Sequence, residues 1–173
     1  DGTKGRQLRG ALYDSYKANR TFAADGASTH EGKDIREVFS SSGLEVNELK
    51  PRWTAEYDEN KEADDLIAEL CLAELLKGNK VVILSGDTDL FQMLRYPDVR
   101  INNFRQEITA SDVEEKYGIS PDHLADWKAL SGDASDNIPG VHGIGEKKAA
   151  SLLEQYGTLE SIPSEEFRTY SAA

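Results

Sequence analysis

The chain has 173 residues, of which 38% are hydrophobic and 30% are charged, and its formal net charge is −12 at pH 7. These proportions exclude an intrinsically disordered chain, and no apolar stretch reaches the length of a membrane span. The acidic balance argues against a nucleic-acid partner, because phosphate binding favours a basic surface, unless the acids are clustered to hold cations. The single cysteine, Cys71, excludes an internal disulfide framework, and we expect a protein of the reducing cytoplasm.

The first segment, Gln7–Arg20, predicts a helix with apolar and aromatic side chains along one face. These are Leu8, Leu12 and Tyr16. Lys17 and Arg20 lie on a neighbouring stripe. They are either surface cations near a helix C-terminus or a clamp for a phosphate group. The small, polar stretch Thr21–Lys33 predicts a long loop or a weakly helical segment.

A second helix is predicted after the acidic run Glu62–Asp65, and its many leucines indicate burial over a wide arc. Acids in a first helical turn are stabilised by the helix dipole, which accounts for some of this run. Three neighbouring carboxylates nevertheless repel one another. Two unit charges about 4 Å apart cost roughly 4 kcal/mol at an effective dielectric constant of about 20, and a bound cation would reverse that sign.

The unbroken apolar run Val81–Leu84 predicts a strand covered on both faces, as strands of parallel sheets are. Asp87 and Asp89 follow it directly. In open α/β sheets, ligands collect beyond the carboxyl ends of the strands. An isolated pair of this kind is more often a pair of solvated acids that cap the next helix. The acids elsewhere in the chain favour a site.

Further strands or a hairpin are predicted at Arg100–Phe104 and Glu107–Ile108. A short helix over Asp112–Tyr117 is predicted to begin with Ser111 as its cap, and another helix covers Asp122–Leu130. Its aromatic residue, Trp127, falls in register with buried leucines. It is therefore predicted to be a core residue and not a platform for base stacking.

Towards the C-terminus, Asp133 and Asp136 form another close pair of acids. The run Gly143–Gly145 predicts a tight hairpin before a new amphipathic helix. Backbone N–H groups at a helix N-terminus, with Lys147 and Lys148 beside them, form a suitable seat for a backbone phosphate.

The clustered acids fall into four groups at junctions between predicted elements. They are Asp1; Glu62, Asp64 and Asp65; Asp87 and Asp89; and Asp133 and Asp136. No histidine or cysteine accompanies them, which disfavours zinc and indicates hard cations such as Mg²⁺ or Mn²⁺. Two such ions in a carboxylate site suit phosphodiester hydrolysis.

Four motifs occur in one order along nearly the whole chain. They are LYDSYKANR (Leu12–Arg20), EADD (Glu62–Asp65), SGDTDLFQML (Ser85–Leu94) and ALSGDASDNIPGVHGIGEKKA (Ala129–Ala149). In these motifs the sequence closely resembles the 5′-3′ exonuclease and flap endonuclease family in its bacterial and phage form, which includes the 5′-nuclease domain of DNA polymerase I. The resemblance implies an α/β fold, with a parallel-sheet, PIN-like and resolvase-like nuclease core and a helix-hairpin-helix subdomain.

The resemblance also implies a domain organisation. The core would cover residues 1–128, with a helical arch at about residues 12–40, and the helix-hairpin-helix subdomain would cover residues 129–173. The family's first strand and the helices after its hairpin domain have no counterpart here, so we expect a chain truncated at both ends, whose activity alone is an open question.

The resemblance assigns roles to individual residues. All the clustered acids would hold two Mg²⁺ or Mn²⁺ ions. Lys17 and Arg20 would contact the scissile phosphate, and Tyr16 would hold the displaced end nucleotide. The residues that would grip duplex DNA are Gly143, Gly145, Lys147 and Lys148. A K⁺ ion would be held by backbone carbonyls of Leu130, Ser131, Val141 and Ile144, near Pro139.

The expected function is a divalent-metal-dependent, structure-selective 5′ nuclease that cuts DNA flaps, nicks and primer ends, RNA primers included, in replication and repair. We expect a monomer with no membrane partner. One alternative is a module that binds branched DNA without cutting it, although such a module would gain nothing from so many carboxylates beside phosphate. Another is a PIN-class RNA-processing nuclease, which shares the acidic site but not the Gly-Ile-Gly hairpin.

Overall fold

The computed structural model describes residues 3–13, 15–16, 56, 58 and 60–168. Its α-helices are α1 (Thr3–Leu12), α2 (Ala63–Leu76), α3 (Ala110–Tyr117), α4 (Leu124–Ser131), α5 (Glu146–Tyr156) and α6 (Ser164–Arg168). Its strands are β1 (Val81–Leu84), β2 (Val99–Asn102) and β3 (Glu107–Ile108). Shorter 3₁₀ helices cover Thr88–Arg95, Pro121–His123 and Leu159–Ser161. Among the described residues, no helix is long and apolar enough to cross a membrane.

The three strands form a mixed sheet in the order β1-β2-β3. β1 runs parallel to β2, with Val81 opposite Val99, and β2 runs antiparallel to β3, with Ile101 opposite Ile108. The parallel pair places the carboxyl end of β1 beside that of β2. Asp87 follows the end of β1, at the edge of the sheet where ligands of α/β proteins collect.

The burial predicted for the first strand and for the leucine-rich helix is wrong within the described part of the chain. In β1, Ile83 is buried whereas Val82 is 46% exposed. In α2, Cys71 is buried but Leu70 and Leu76 are 48% and 90% exposed. Periodicity identifies apolar faces correctly, but it does not reveal whether another element covers each face.

The predicted helix Gln7–Arg20 is too long at its C-terminal end. α1 ends at Leu12, and residues 15–16 form a turn in which the Tyr16 backbone N–H donates to the Tyr13 carbonyl. The amide of Asn137 donates to the Ser15 carbonyl at 2.8 Å. This contact ties the turn after α1 to the loop that follows α4.

α3 begins earlier than predicted, because Thr109 and not Ser111 caps it. The Thr109 hydroxyl accepts from the Asp112 backbone N–H at 3.2 Å, and the Asp112 carboxylate accepts from the Thr109 backbone N–H at 2.7 Å. This reciprocal pair is a capping box, which satisfies two backbone donors at once. The helix predicted at Asp122–Leu130 is divided into a 3₁₀ turn and α4.

The hydrophobic core runs from Cys71 of α2 to Ile162 in the segment after α5. Its best-buried side chains are Ile101, Val113, Leu124, Leu130, Leu152 and Leu153. Trp127 is 5% exposed, as predicted for a core residue, and its indole N–H donates to the Glu146 carbonyl at 3.1 Å. Its ring also packs edge-on against Tyr117, with centroids 5.1 Å apart. α4 and α5 are thereby fixed to each other.

Candidate active site

One pair of the predicted metal-site acids is joined by Lys128 of α4. The Lys128 ammonium lies 2.7 Å from Asp133 Oδ2 and forms a close ion pair with Asp89 Oδ1. Asp89 belongs to the 3₁₀ helix after β1, and Asp133 belongs to the loop after α4. The fold therefore brings together acids from two separate motifs.

The loop residue Asp133 is held tightly in its ionised form. Its Oδ1 accepts from the backbone N–H and the hydroxyl of Ser135, at 2.8 and 2.5 Å. Partial burial alone would raise the pKa of Asp133, but the hydrogen bonds from Lys128 and Ser135 outweigh it and lower this pKa to about 2. Burial acts to lower the pKa of Lys128, but its contacts with Asp133 and Asp89 raise this pKa overall.

A second group of acids is held by Arg9 of α1. The two terminal nitrogens of the guanidinium lie 2.5 Å from Glu62 Oε2 and 2.7 Å from Asp65 Oδ1. The Glu62 carboxylate is 1% exposed. Burial acts to lower the pKa of Arg9, but Glu62 and Asp65 raise it overall, so this cation is permanently charged.

Tyr16 links the Arg9 group to Asp136, which lies in the same loop as Asp133. Its hydroxyl lies 3.1 Å from Glu62 Oε2 and 3.3 Å from Asp136 Oδ2, within donating distance of both. Because a phenol carries one proton, it donates to one of these carboxylates at a time. Glu62 and Asp136 are both buried, at 1% and 7% exposure. Two buried carboxylates from distant parts of the chain thus meet at one hydroxyl.

The remaining predicted acids lie outside the contacts of Lys128, Arg9 and Tyr16 described above. Asp87 is exposed, and its carboxylate accepts from the Asp89 backbone N–H at 3.0 Å, so it caps the 3₁₀ helix. Asp64 lies in the first turn of α2. Asp1, Lys17 and Arg20, like the stretch Thr21–Lys33, lie outside the described residues.

The donor chemistry fits a hard divalent cation, because the clustered ligands are carboxylate oxygens without sulfur or imidazole. Across the portion of the chain that the structure describes, however, no group of three or more acidic, histidine or cysteine side chains is arranged to hold a metal ion. Arg9 and Lys128 instead occupy positions between the carboxylates. The metal roles of the individual acids therefore remain predictions.

Sequence reasoning missed these two cations. Arg9 lies far along the chain from its partner Asp65, and Lys128 follows the core residue Trp127 in α4. The available signal was electrostatic, because a dense group of acids requires positive charge nearby. That requirement predicts a bound ion and a basic side chain equally well.

In the loop between α4 and α5, two stretches of backbone lie in close contact. Asp133 and Ile138 exchange two backbone hydrogen bonds of 2.8 Å. Gly140 adopts φ +67°, and a Cβ placed there would lie 2.3 Å from the Gly132 nitrogen. Only glycine fits this contact.

The backbone carbonyls of Leu130 and Val141, two of the predicted K⁺ ligands, accept hydrogen bonds from the N–H groups of Val141 and Ile144. Ser131, Pro139 and Ile144 belong to the same segment. A carbonyl oxygen has a second lone pair, so these bonds leave acceptor capacity. The K⁺ site stays a prediction.

The predicted DNA-gripping residues lie together at the beginning of α5. Gly143 has φ +77°, and Gly145 caps the helix. Gly143, Gly145 and Lys147 are exposed, whereas Lys148 is half-buried. The backbone of this hairpin and one lysine are therefore accessible to a phosphate group.

Two family models match the chain. The model for the 5′-3′ exonuclease N-terminal resolvase-like domain matches residues 1–118, and the model for the 5′-3′ exonuclease C-terminal SAM fold matches residues 119–170. The chain belongs to the 5′-3′ exonuclease family. The predicted family and its α/β, resolvase-like fold are confirmed, whereas the predicted division of domains at residues 128 and 129 stays a prediction.

Curated relatives agree with this membership. The chain is 48% identical to the thermostable DNA polymerase I of Thermus aquaticus, over 92% of this chain and 18% of that protein. It is 35% identical to the flap endonuclease Xni of Cronobacter sakazakii, over 94% of this chain and 61% of that protein. The chain thus spans less than a fifth of the polymerase and under two thirds of the shorter nuclease.

Solved structures show the same fold. A mutant of the 5′-exonuclease of phage T5 matches with a TM-score of 0.57 and 26% identity, covering 64% of this chain and 46% of that chain. The T5 5′-exonuclease with bound zinc matches with a TM-score of 0.66 and 24% identity, covering 95% and 60%.

Proposed function

We propose that this chain carries the nuclease centre of a divalent-metal-dependent, structure-selective 5′ nuclease, which hydrolyses phosphodiester bonds of DNA flaps, nicks and primer ends in replication and repair. The observation that carries the proposal is the convergence of Glu62 and Asp136 at the Tyr16 hydroxyl. Buried carboxylates are costly unless they pair with a cationic group or coordinate a metal ion. Relatives named flap endonuclease and 5′-3′ exonuclease support the reaction class.

The ligands for two Mg²⁺ or Mn²⁺ ions would come from the clustered acids. Within the described residues these are Glu62, Asp64, Asp65, Asp87, Asp89, Asp133 and Asp136; Asp1 would join them. When bound, such ions activate water and neutralise charge on the oxygens of a phosphodiester. The T5 5′-exonuclease binds divalent zinc, but at 24% identity that likeness speaks for the fold, so the case for metal rests on the donor set.

The basic groups would position the DNA. We propose that Lys17 and Arg20 contact the scissile phosphate, and that Tyr16 holds the end nucleotide beside the acids. The hairpin N–H groups of Gly143 and Gly145, with Lys147 and Lys148, would bind a phosphate of the duplex. A K⁺ ion at the predicted carbonyls would hold the hairpin in shape.

We further propose that RNA primers are among the substrates, and that the protein works as a monomer in the cytoplasm. Cys71 is a free, buried cysteine, which is compatible with a reducing compartment.

A non-cleaving, branched-DNA-binding module is the second candidate function. It is favoured by the ion pairs of Arg9 and Lys128, which neutralise acids that a nuclease would present to metal. Under this alternative the carboxylates and cations are a structural network, and the hairpin alone provides affinity.

A labelled 5′-flap DNA distinguishes the two. We expect cleavage near the flap junction in Mg²⁺, none in EDTA, and a loss of at least about 100-fold in Asp87→Asn with DNA affinity retained. Asp98→Asn, which removes an exposed acid before β2, is the matched control and should cut like the parent. Metal-independent cutting, or full activity in Asp87→Asn, would contradict the proposed centre.

The hairpin is tested separately by binding. The double variant Lys147→Ala, Lys148→Ala should bind flap DNA more weakly and lower the salt slope by about 2, since each phosphate contact contributes about 1. The double variant Lys77→Ala, Lys80→Ala loses the same charge from the surface near α2 and serves as the control. Equal salt slopes in the two double variants would exclude the hairpin as the phosphate seat.

A further inference from the structure

Lys128 is placed between carboxylates in the manner of a bound cation. Its ammonium contacts Asp89 and Asp133, which belong to different segments, and its side chain is 20% exposed. An ammonium offers three donors around a point charge and no acceptor, so it can bridge several carboxylates at once. Without it, the two negative charges would face each other across a partly buried gap.

The backbone of Lys128 is held by its buried neighbours, whereas its long side chain has several rotatable bonds. Trp127 and Leu130 of the same helix are 5% and 0% exposed, so α4 is anchored in the core. The lysine stem has four flexible carbons. The ammonium can therefore leave the two carboxylates without any movement of α4.

We propose that Lys128 is a resident counter-ion, which positions Asp89 and Asp133 for a divalent cation and yields its place to that cation on binding. The proposal rests on the proposed function, since it requires a metal-binding centre. It makes Lys128 a positioning residue that keeps the apo centre assembled. It also makes the lysine a competitor that lowers the affinity of the free protein for the ion.

The test compares metal binding and stability in the absence of DNA. Lys128→Met removes the charge and retains the length of the side chain, whereas Lys128→Arg retains the charge. Binding of Mn²⁺ is followed by electron paramagnetic resonance of the free ion, and the melting temperature is measured in EDTA and at increasing Mg²⁺. Lys80→Met removes an exposed lysine before β1 and is the control.

Lys128→Met should bind Mn²⁺ about tenfold more tightly than the parent, because a like charge is removed from the site. In EDTA it should melt several degrees lower, and this deficit should shrink as Mg²⁺ replaces the missing charge. Lys128→Arg should resemble the parent in both measurements. Lys80→Met should change neither.

A purely structural lysine would give a different pattern. The melting deficit would then persist at all Mg²⁺ concentrations, and Mn²⁺ affinity would be unchanged or weaker, which would overturn the role given to Lys128 while leaving the metal centre intact. If neither the parent nor the variant binds Mn²⁺, the result contradicts both the role given to Lys128 and the proposed nuclease function. If Lys128→Met does not fold in EDTA, Lys128→Gln is titrated with Mn²⁺ in the same way, and we expect the same increase in Mn²⁺ affinity.

Discussion

Two regions of the molecule bury their apolar side chains to very different extents. In the hairpin region, residues 110–168, most apolar positions of the helices are covered; Leu124, Leu130, Leu152 and Leu153 are at most 2% exposed. In the α2–β1 region, residues 62–84, the buried hydrophobic side chains are Cys71 and Ile83. Leu70, Leu76 and Val82 are exposed there by 48%, 90% and 46%.

The difference follows from where the packing partners lie in the sequence. α4 and α5 are consecutive helices, separated by residues 132–145, and each covers part of the apolar face of the other. Local sequence therefore suffices to build that part of the core. The described residues leave parts of the apolar faces of α2 and β1 uncovered.

The largest difference between the regions should appear at glycines with positive φ. Gly140→Ala should cost about 4 kcal/mol or more, because its Cβ would overlap the backbone of Gly132 and Ser131. Gly78→Ala, at φ +79° with nothing within 4 Å, should cost only about 1 kcal/mol of backbone strain. Chemical denaturation measures both, and equal costs would show that the close approach in the hairpin loop is not rigid.

Leucine truncation tests the contrast in burial directly. Leu152→Ala removes a side chain that is 1% exposed and should lower the free energy of unfolding by about 3 kcal/mol. Leu76→Ala removes one that is 90% exposed and should change it by less than about 0.5 kcal/mol. A cost at Leu76 comparable with that at Leu152 would mean that α2 is covered in solution.

The same contrast explains what the sequence could predict of the fold. The strand Val81–Leu84 is right because a four-residue apolar run, rich in β-branched residues and bounded by turn residues, is too short for a helix. The predicted helix runs past Leu12 because the apolar and aromatic spacing continues to Tyr16, whereas the turn at residues 15–16 contacts Asn137, 122 residues away. The burial of Leu76 was misjudged because an apolar pattern does not specify a partner.

The candidate site shows the same division between features that short sequence motifs predict and features that arise only when the chain folds. The acids stand out in the sequence because they cluster in short motifs, and the fold places Glu62 near Asp136, and Asp89 near Asp133, while their metal roles stay predictions. The cations Arg9 and Lys128 were not found, because single basic residues carry no motif. Their roles exist only once the chain has folded.

A smaller effect separates the two candidate caps of α3. Thr109→Ala should lower the free energy of unfolding by about 1 kcal/mol, because it removes the acceptor for the Asp112 backbone N–H. Ser111→Ala, inside the helix, should change it by less than about 0.5 kcal/mol. Thermal denaturation of both variants distinguishes the two candidate caps. A larger loss of stability in Ser111→Ala would identify Ser111 as the cap, as the sequence predicts.

The smallest effect is the pH dependence of that cap, which has a counterpart at α2. Both helices begin with a capping box whose acid is the third helical residue, Asp112 in α3 and Asp65 in α2, but Asp65 also pairs with Arg9. The pH dependence at Asp112 therefore reports on a capping box without the added effect of the Arg9 ion pair. Hydrogen bonds from the Thr109 hydroxyl and backbone N–H lower the pKa of Asp112.

A lowered pKa in the folded state means that the carboxylate stabilises the fold above its unfolded pKa, and that this contribution disappears as the pH falls through the folded pKa. The stability difference between the parent and Thr109→Ala should therefore be fully present at pH 7 and should narrow below about pH 4. In an NMR titration, the pKa of Asp112 should rise in Thr109→Ala towards its ordinary value. An unchanged titration in the variant would mean that the capping box does not hold this carboxylate in solution, and the early start of α3 would then need another cause.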